Sequence, residues 1–145
     1  MLSKLITAWV LMALCVVIHA SGVTTALRWM PRRPEFYPRF WHWTVLFIFV
    51  AGWMVLLHLL EIGAWAVLFL SKGAMSDWPS ALYFSAVTYT TTGYGDLVLP
   101  REWRLVGAVE ALTGILMCGW STGFFFAVVT RIFVSRGARE RGQLE

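Results

Sequence analysis

Charged residues are scarce in this chain of 145 residues. Asp, Glu, Lys and Arg make up 14% of it, against roughly 25% in an average soluble domain. Hydrophobic residues make up 59%, and the mean hydropathy is +0.67. A chain of this length cannot bury so much apolar surface in a core of its own. The composition excludes an ordinary soluble domain and indicates that a lipid bilayer surrounds most of the chain.

Cysteine and catalytic patterns are also lacking. Cys15 and Cys118 stand alone in separate apolar stretches, which predicts neither a disulfide framework nor a cysteine metal cluster. No Ser–His constellation, paired aspartates or His-Glu-x-x-His pattern occurs in the sequence. We therefore expect no enzyme and no bound cofactor.

The net charge of +4 comes largely from arginines at the borders of apolar stretches. Eight of the ten arginines fall in one linker and in the tail: Arg28, Arg32, Arg33 and Arg39, then Arg131, Arg136, Arg139 and Arg141. Such clusters mark cytoplasmic segments and contact anionic lipid headgroups, so lipids are the expected partner and nucleic acid is not. This orientation places the N-terminus outside.

Three apolar stretches approach the ~20 residues that cross a hydrocarbon core. They run from about Leu5 to Leu27, Val45 to Leu70 and Leu105 to Val134. A shorter stretch, Trp78 to Thr90, is too short to cross, and Asp77 and Pro79 suit the start of a helix there. The sequence predicts an all-α membrane protein with a re-entrant half-span.

The first apolar stretch has a second interpretation. Lys4, the apolar residues that follow and Ala20-Ser21-Gly22 resemble a secretory signal peptide. Cleavage would leave the arginine-rich linker outside, against the charge rule, so we favour a retained transmembrane helix.

The half-span leads into the strip Thr90–Asp96, which is rich in threonine and glycine. Non-helical backbone is tolerated at membrane depth only where protein buries it or where it lines a water-filled path. Gly93 and Gly95 allow positive φ, which lets successive carbonyls face one axis. An external turn is the simpler alternative, but the half-helix before the strip disfavours it.

The segment Thr91-Thr92-Gly93-Tyr94-Gly95-Asp96 resembles the signature of the potassium channel pore-domain family. The resemblance covers residues 45 to 134 and implies an outer helix, a pore helix, a filter loop and an inner helix in a homotetramer. It implies that carbonyls of Thr91, Thr92, Gly93 and Tyr94 bind K⁺, with Gly95 completing the filter. Thr92 stands where the family usually has valine or isoleucine, which puts the stringency of selection in question.

Other residues are predicted to support the filter. By the same resemblance, Asp96 is expected to accept a hydrogen bond from Tyr83 on the pore helix, with a solvated loop aspartate near the cation entrance as the alternative. Glu110 lies at filter height and either braces the filter from behind or pairs with Arg104 or Arg101. Within the second span, His58 and Glu61 share a helix face. They supply at most two ligands, which favours a structural pair over a metal site.

Span three matches the inner helix of the family. Gly114 falls at the expected hinge, whereas Gly119 and Gly123 fit a small-residue packing pattern. The resemblance places Ile115, Cys118, Thr122 and either Phe125 or Phe126 along the cavity, with a phenylalanine ring as a gate, Phe126 being our choice. Lipid-facing phenylalanines are the alternative. No span carries regularly spaced arginines, which excludes the usual voltage sensor.

The sequence thus predicts a potassium-selective channel subunit in the inner membrane of a prokaryote. Its divisions are an N-terminal helix with a basic linker (1–43), a pore domain (44–134) and a basic tail (135–145). A weakly selective cation channel and a non-conducting accessory protein of the same fold remain the alternatives.

Overall fold

The apolar stretches and the half-span form helices in the computed structural model, which describes residues 1–29 and 40–142, with side chains for 1–29 and 41–130. The helices are α1 (Leu2–Trp29), α2 (Phe40–Ser71), α3 (Trp78–Tyr89) and α4 (Arg104–Gly142), with a short 3-10 turn at Arg101–Trp103. Within those ranges no strand occurs. Three helical segments are long and apolar enough to cross a membrane, which confirms the predicted all-α membrane protein. The predicted linker arginines 32, 33 and 39 and the side chains of the basic tail lie outside the described residues.

The start of α3 is capped as the sequence predicts. The backbone N–H of Ser80 donates to Oδ1 of Asp77 at 2.9 Å, and the hydroxyl of Ser76 donates to Oδ2 at 2.8 Å. Pro79 occupies the first turn, where its missing N–H costs nothing. The hydrogen bonds from Ser80 and Ser76 lower the pKa of the Asp77 carboxyl below its ordinary value, so the cap is ionised at neutral pH.

Helix α1 packs along both α2 and α4. The indole N–H of Trp53 donates to the carbonyl of Gly22 at 3.0 Å, and Leu57 packs directly over this glycine. Near the beginning of α1, the Lys4 ammonium lies 4.3 Å from the centre of the Trp103 ring. The N-terminal end of α1 therefore lies at the same end of the bundle as the start of α4, just after the strip.

The core that holds α3 is aromatic. Trp65 and Phe69 of α2 are fully buried, and Phe84 of α3 meets Phe69 edge-on with ring centres 5.4 Å apart. Outside this core, many large apolar side chains are more than half exposed, including Ile48 and Leu112. A bilayer is the solvent that such a surface requires.

Gly114 lies where α4 crosses the end of α3. A Cβ at this position would lie 1.9 Å from the carbonyl oxygen of Tyr89, so only glycine permits the approach. The structure thus gives Gly114 a packing role, and its predicted hinge motion stays a prediction. By contrast, a Cβ at Gly119 or Gly123 would meet no described atom within 4 Å. The packing predicted for these two residues does not occur among the described residues of one chain.

We expect Gly114→Ala to destabilise the protein by about 1–3 kcal/mol, because the added methyl group overpacks a backbone contact. Gly119→Ala is the matched control in the same helix and should be neutral or stabilising by up to about 1 kcal/mol. Denaturant titration in detergent, followed by far-UV circular dichroism, measures both. Equal effects of the two substitutions would contradict the packing role.

Candidate functional site

The strip after α3 alternates in backbone handedness. Thr91, Gly93 and Gly95 have φ of 59°, 57° and 78°. The sequence predicts positive φ at the glycines but misses Thr91, since a β-branched residue in this region costs roughly 1–2 kcal/mol. Because every second residue is left-handed, successive peptide units are turned in a regular way. A row of carbonyls that all face one axis requires such a repeat.

Hydrogen bonds from the strip run backward to α3. The N–H groups of Thr92 and Gly93 both donate to the carbonyl of Val87, at 2.9 and 3.2 Å, and that of Thr91 donates to Thr88 at 2.9 Å. None of the backbone N–H groups that the structure describes donates to a carbonyl of residues 91–95. The donors at the start of the strip are satisfied, while its carbonyl oxygens stay available to another partner.

The hydroxyl of Thr92 is also engaged. It lies 2.9 Å from the hydroxyl of Thr90, which donates to the carbonyl of Ala86 at 2.7 Å. The residue by which the strip departs from the usual family pattern thus belongs to a short hydrogen-bonded chain that ends on the last turn of α3.

The far end of the strip is tied to α3 by the hydrogen bond expected from the sequence. The Tyr83 hydroxyl donates to Oδ2 of Asp96 at 2.8 Å. This hydrogen bond lowers the pKa of the Asp96 carboxyl and raises that of the Tyr83 phenol. The strip is therefore anchored to one helix at both of its ends.

Glu110 of α4 is fully buried against the other side of α3. The hydroxyl of Ser85 lies beside its carboxyl group. Among the described residues, neither carboxyl oxygen nor the Ser85 hydroxyl completes a hydrogen bond. The alternative pairing with an arginine does not occur within these residues, where the Nε of Arg104 donates to the carbonyl of Leu99 at 3.2 Å.

The predicted cavity stripe lies on one exposed face of α4. Ile115, Cys118, Thr122 and Phe126 are all exposed in the single chain. Of the three consecutive phenylalanines, Phe124 is buried in an apolar cluster, and Phe125 packs against Phe47 with ring centres 5.5 Å apart. Phe126 is thus the one whose ring is left to face a pore, lipid or another copy.

A polar cluster that the sequence predicts only in part lies inside the bundle. The pair His58 and Glu61 is present, with 3.7 Å between Nδ1 and Oε2. The structure adds His19 of α1, Tyr89 of α3 and Ser121 of α4. These three residues are far apart in the sequence, so helix spacing could not bring them together. Their only sequence signal is that each is a polar side chain in an apolar stretch.

We expect Tyr83→Phe to raise the pKa of Asp96 toward its ordinary value, because the phenol no longer stabilises the carboxylate. The native hydrogen bond is strongest above the ordinary carboxyl pKa of roughly 3.9 and is lost as pH falls through the lowered value. Carboxyl ¹³C shifts in a pH titration measure this change. Tyr94→Phe, which removes a nearby hydroxyl, is the control; equal pKa values in both variants would argue against the bond.

Comparison with known proteins gives one match that covers this region. Residues 44–131 match a family model described as ion channel, and these residues hold α2, α3, the strip and the apolar part of α4. No solved structure matches the chain. Since the match covers more than half of the sequence, the chain belongs to the two-transmembrane ion channel family, which includes potassium channel pore domains.

Proposed function

We propose that this ion channel subunit forms a homotetramer that conducts K⁺ passively and selectively through a filter built from residues 91–95. The observation that carries the proposal is the alternating backbone of that strip. Left-handed residues at Thr91, Gly93 and Gly95 support a stack of carbonyl rings that replace the hydration shell of K⁺.

The exposure of the strip supports assembly. Residues 90–98 are mostly exposed in a single chain, and 72% of the Tyr94 side chain is accessible. Irregular backbone at membrane depth must be covered by protein or line water. One strip cannot encircle an ion, whereas four copies around an axis can. Neighbouring copies would then cover Tyr94 and the outer side of the filter.

The remaining assignments follow the same scheme. Residues 44–134 form the pore domain. Residues 1–43 form the added helix with its linker, and residues 135–145 form the tail. The lipid contacts follow from the arginine pattern. The inner membrane of a prokaryote follows from the resemblance to small prokaryotic potassium channels. Gly114 bends the inner helix, and Phe126 narrows its inner mouth.

Two other functions suit the same fold. A weakly selective cation channel would owe its character to Thr92, the polar second residue of the filter. The Thr92 hydroxyl is held by Thr90, and no described backbone N–H donates to the Thr92 carbonyl, which argues against this. A non-conducting accessory subunit would keep the helices and lose the flux.

The purified chain in liposomes tests the proposal. We expect a K⁺ flux that barium blocks and a reversal potential that moves by about 59 mV for a tenfold change in the K⁺ gradient, with little change when Na⁺ is varied. Thr92→Val should preserve this selectivity. A reversal potential that follows Na⁺ as closely as K⁺ would favour the weakly selective channel, and absence of flux would favour the accessory subunit.

A pair of glycine variants controls this experiment. Gly95→Ala should abolish flux, because φ of 78° strains any L-residue in the strip. Gly73→Ala makes the same change at φ of 65° in the loop before α3 and should keep the flux. If both variants conducted normally, residues 91–95 would not be the conducting segment.

Glu110 should brace the filter from behind, where its buried carboxyl group lies beside Ser85. We expect Glu110→Gln to alter filter inactivation or selectivity by about 2–10-fold, because the amide changes the hydrogen bonds that this buried group can make, each worth ~0.5–1.5 kcal/mol. Single-channel recording measures both properties. Glu102→Gln, an exposed change in the 3-10 turn, is the control. Unchanged conduction, inactivation and selectivity in Glu110→Gln would end the bracing hypothesis.

A further inference from the structure

Five polar side chains from the four helices close into a ring inside the bundle. Glu61 Oε1 lies 2.9 Å from His19 Nδ1, and the Ser121 hydroxyl joins His19 Nε2 at 3.1 Å to His58 Nε2 at 3.0 Å. His58 Nδ1 lies 3.1 Å from the hydroxyl of Tyr89, which donates to Glu61 Oε2. We call these five residues the polar ring. Glu61 and His19 are fully buried, and Tyr89 is 1% exposed.

The hydrogens available to the polar ring do not match its contacts. With Glu61 ionised and both imidazoles neutral, each imidazole, the Ser121 hydroxyl and the Tyr89 hydroxyl contribute one hydrogen. That makes four hydrogens for five contacts, as counted from the paired atoms. One contact then lacks a hydrogen, and the ring carries one net negative charge in the interior of a membrane protein.

One more proton supplies the missing hydrogen and cancels the negative charge. With His19 protonated on both nitrogens, it donates to Glu61 and to Ser121. Ser121 then donates to His58, His58 to Tyr89, and Tyr89 to Glu61. Placing the proton on His58 or on Glu61 also completes every contact. In each case the ring as a whole is neutral, which avoids the cost of burying an unbalanced charge.

We propose that the polar ring binds one excess proton, shared among His19, His58 and Glu61, and that this bound proton joins α1 to the pore helix and the inner helix. The proposal goes beyond potassium conduction and does not depend on it.

Among the described residues, no other group supplies the missing positive charge. Glu61 also interacts electrostatically with the thiols of Cys15 on α1 and Cys118 on α4, and a thiol is neutral at pH 7. The ring of Trp120 on α4 packs 5.5 Å from that of His19 and carries no charge. In the part of the chain that the structure describes, both ion-pair partners of Glu61 are histidines of the ring.

A metal ion is the rival cation, because His19, His58 and Glu61 can each offer an atom within 4.8 Å of the others. Two ligands of a tetrahedral zinc ion with bonds of ~2.0–2.1 Å are separated by roughly 3.3 Å. The His19–Glu61 contact of 2.9 Å is shorter than this and is a normal hydrogen bond. The contacts of the ring therefore favour a proton.

The position of the polar ring connects the bound proton to the strip and to the exposed stripe of α4. Tyr89 is the last residue of α3 and directly precedes the strip, and Ser121 is next to Thr122 on the exposed stripe of α4. Loss of the proton removes a hydrogen from one of the contacts that join these helices and leaves a negative charge beneath the strip. A change in external or internal pH thereby changes the contacts of the backbone that precedes the filter.

Proton counting by solid-state NMR tests the proposal on the full chain in lipid bilayers after chelator treatment. His42→Gln removes the third histidine, so that imidazole ¹⁵N signals come from the ring alone. Over roughly pH 5–8, where imidazole titrates, we expect one proton per chain to be gained across the two imidazoles and the Glu61 carboxyl. Two independent titrations, or two neutral imidazoles beside an ionised Glu61 at every pH, would overturn the proposal.

Two variants sharpen the result. In Glu61→Gln the amide is neutral and brings its own hydrogens, so the proton uptake should be lost, whereas Glu102→Gln should retain it. Retained uptake in Glu61→Gln would refute sharing through the ring. One equivalent of Zn²⁺ that moves both sets of imidazole signals and displaces the proton would identify a metal site instead.

K⁺ flux measures whether the proton of the polar ring affects conduction. We expect K⁺ flux in liposomes to differ between about pH 5 and pH 8 and to lose this difference in Glu61→Gln but not in Glu102→Gln. A pH dependence that persists in Glu61→Gln would refute the link to conduction. Absence of flux at every pH would count against the proposed channel function alone, since the NMR proton count is independent of it.

Discussion

The structure depends on one constraint, which is that backbone polar groups have no water to bond within a bilayer. The helices meet it internally. The strip after α3 cannot, and it meets half of the requirement by returning its first N–H groups to the carbonyls of Val87 and Thr88. Among the described backbone contacts, no N–H group donates to the carbonyls of residues 91–95. A cation that sheds its water is the natural partner for unsatisfied oxygen atoms, and this is the use that the proposed filter makes of the strip.

Helix α3 is the element on which these requirements converge. Its first turn is closed by the Asp77 cap, and its last turn receives the donors of the strip. Tyr83, on one side of α3, donates a hydrogen bond to Asp96. Tyr89 is the last residue of α3, and α4 can pass over it only because residue 114 is glycine. A short helix that cannot cross the membrane therefore positions the site more directly than the long helices that do.

Local patterns in the sequence predicted the helices, the Asp77 cap and the Tyr83–Asp96 contact, because each depends on nearby residues or on a specific signature. The left-handed Thr91 could not be predicted, since local preference opposes it and the surrounding structure imposes it. His19 was missed for another reason. It meets Glu61 across a separation of 42 residues, and no helical period connects α1 to α2. Glu110 was placed correctly near α3, but its lack of an arginine partner among the described residues depends on burial that only the fold determines.

Helix α1 lies outside the region that matches the family, yet it supplies part of the interior of that region. His19 contacts Glu61, and Trp53 and Leu57 of α2 both close over Gly22. A pore domain cut out at residues 44–131 would expose a carboxylate and an indole N–H that were matched to a neighbour. The segment that the family model defines is thus smaller than the set of helices that share these buried contacts.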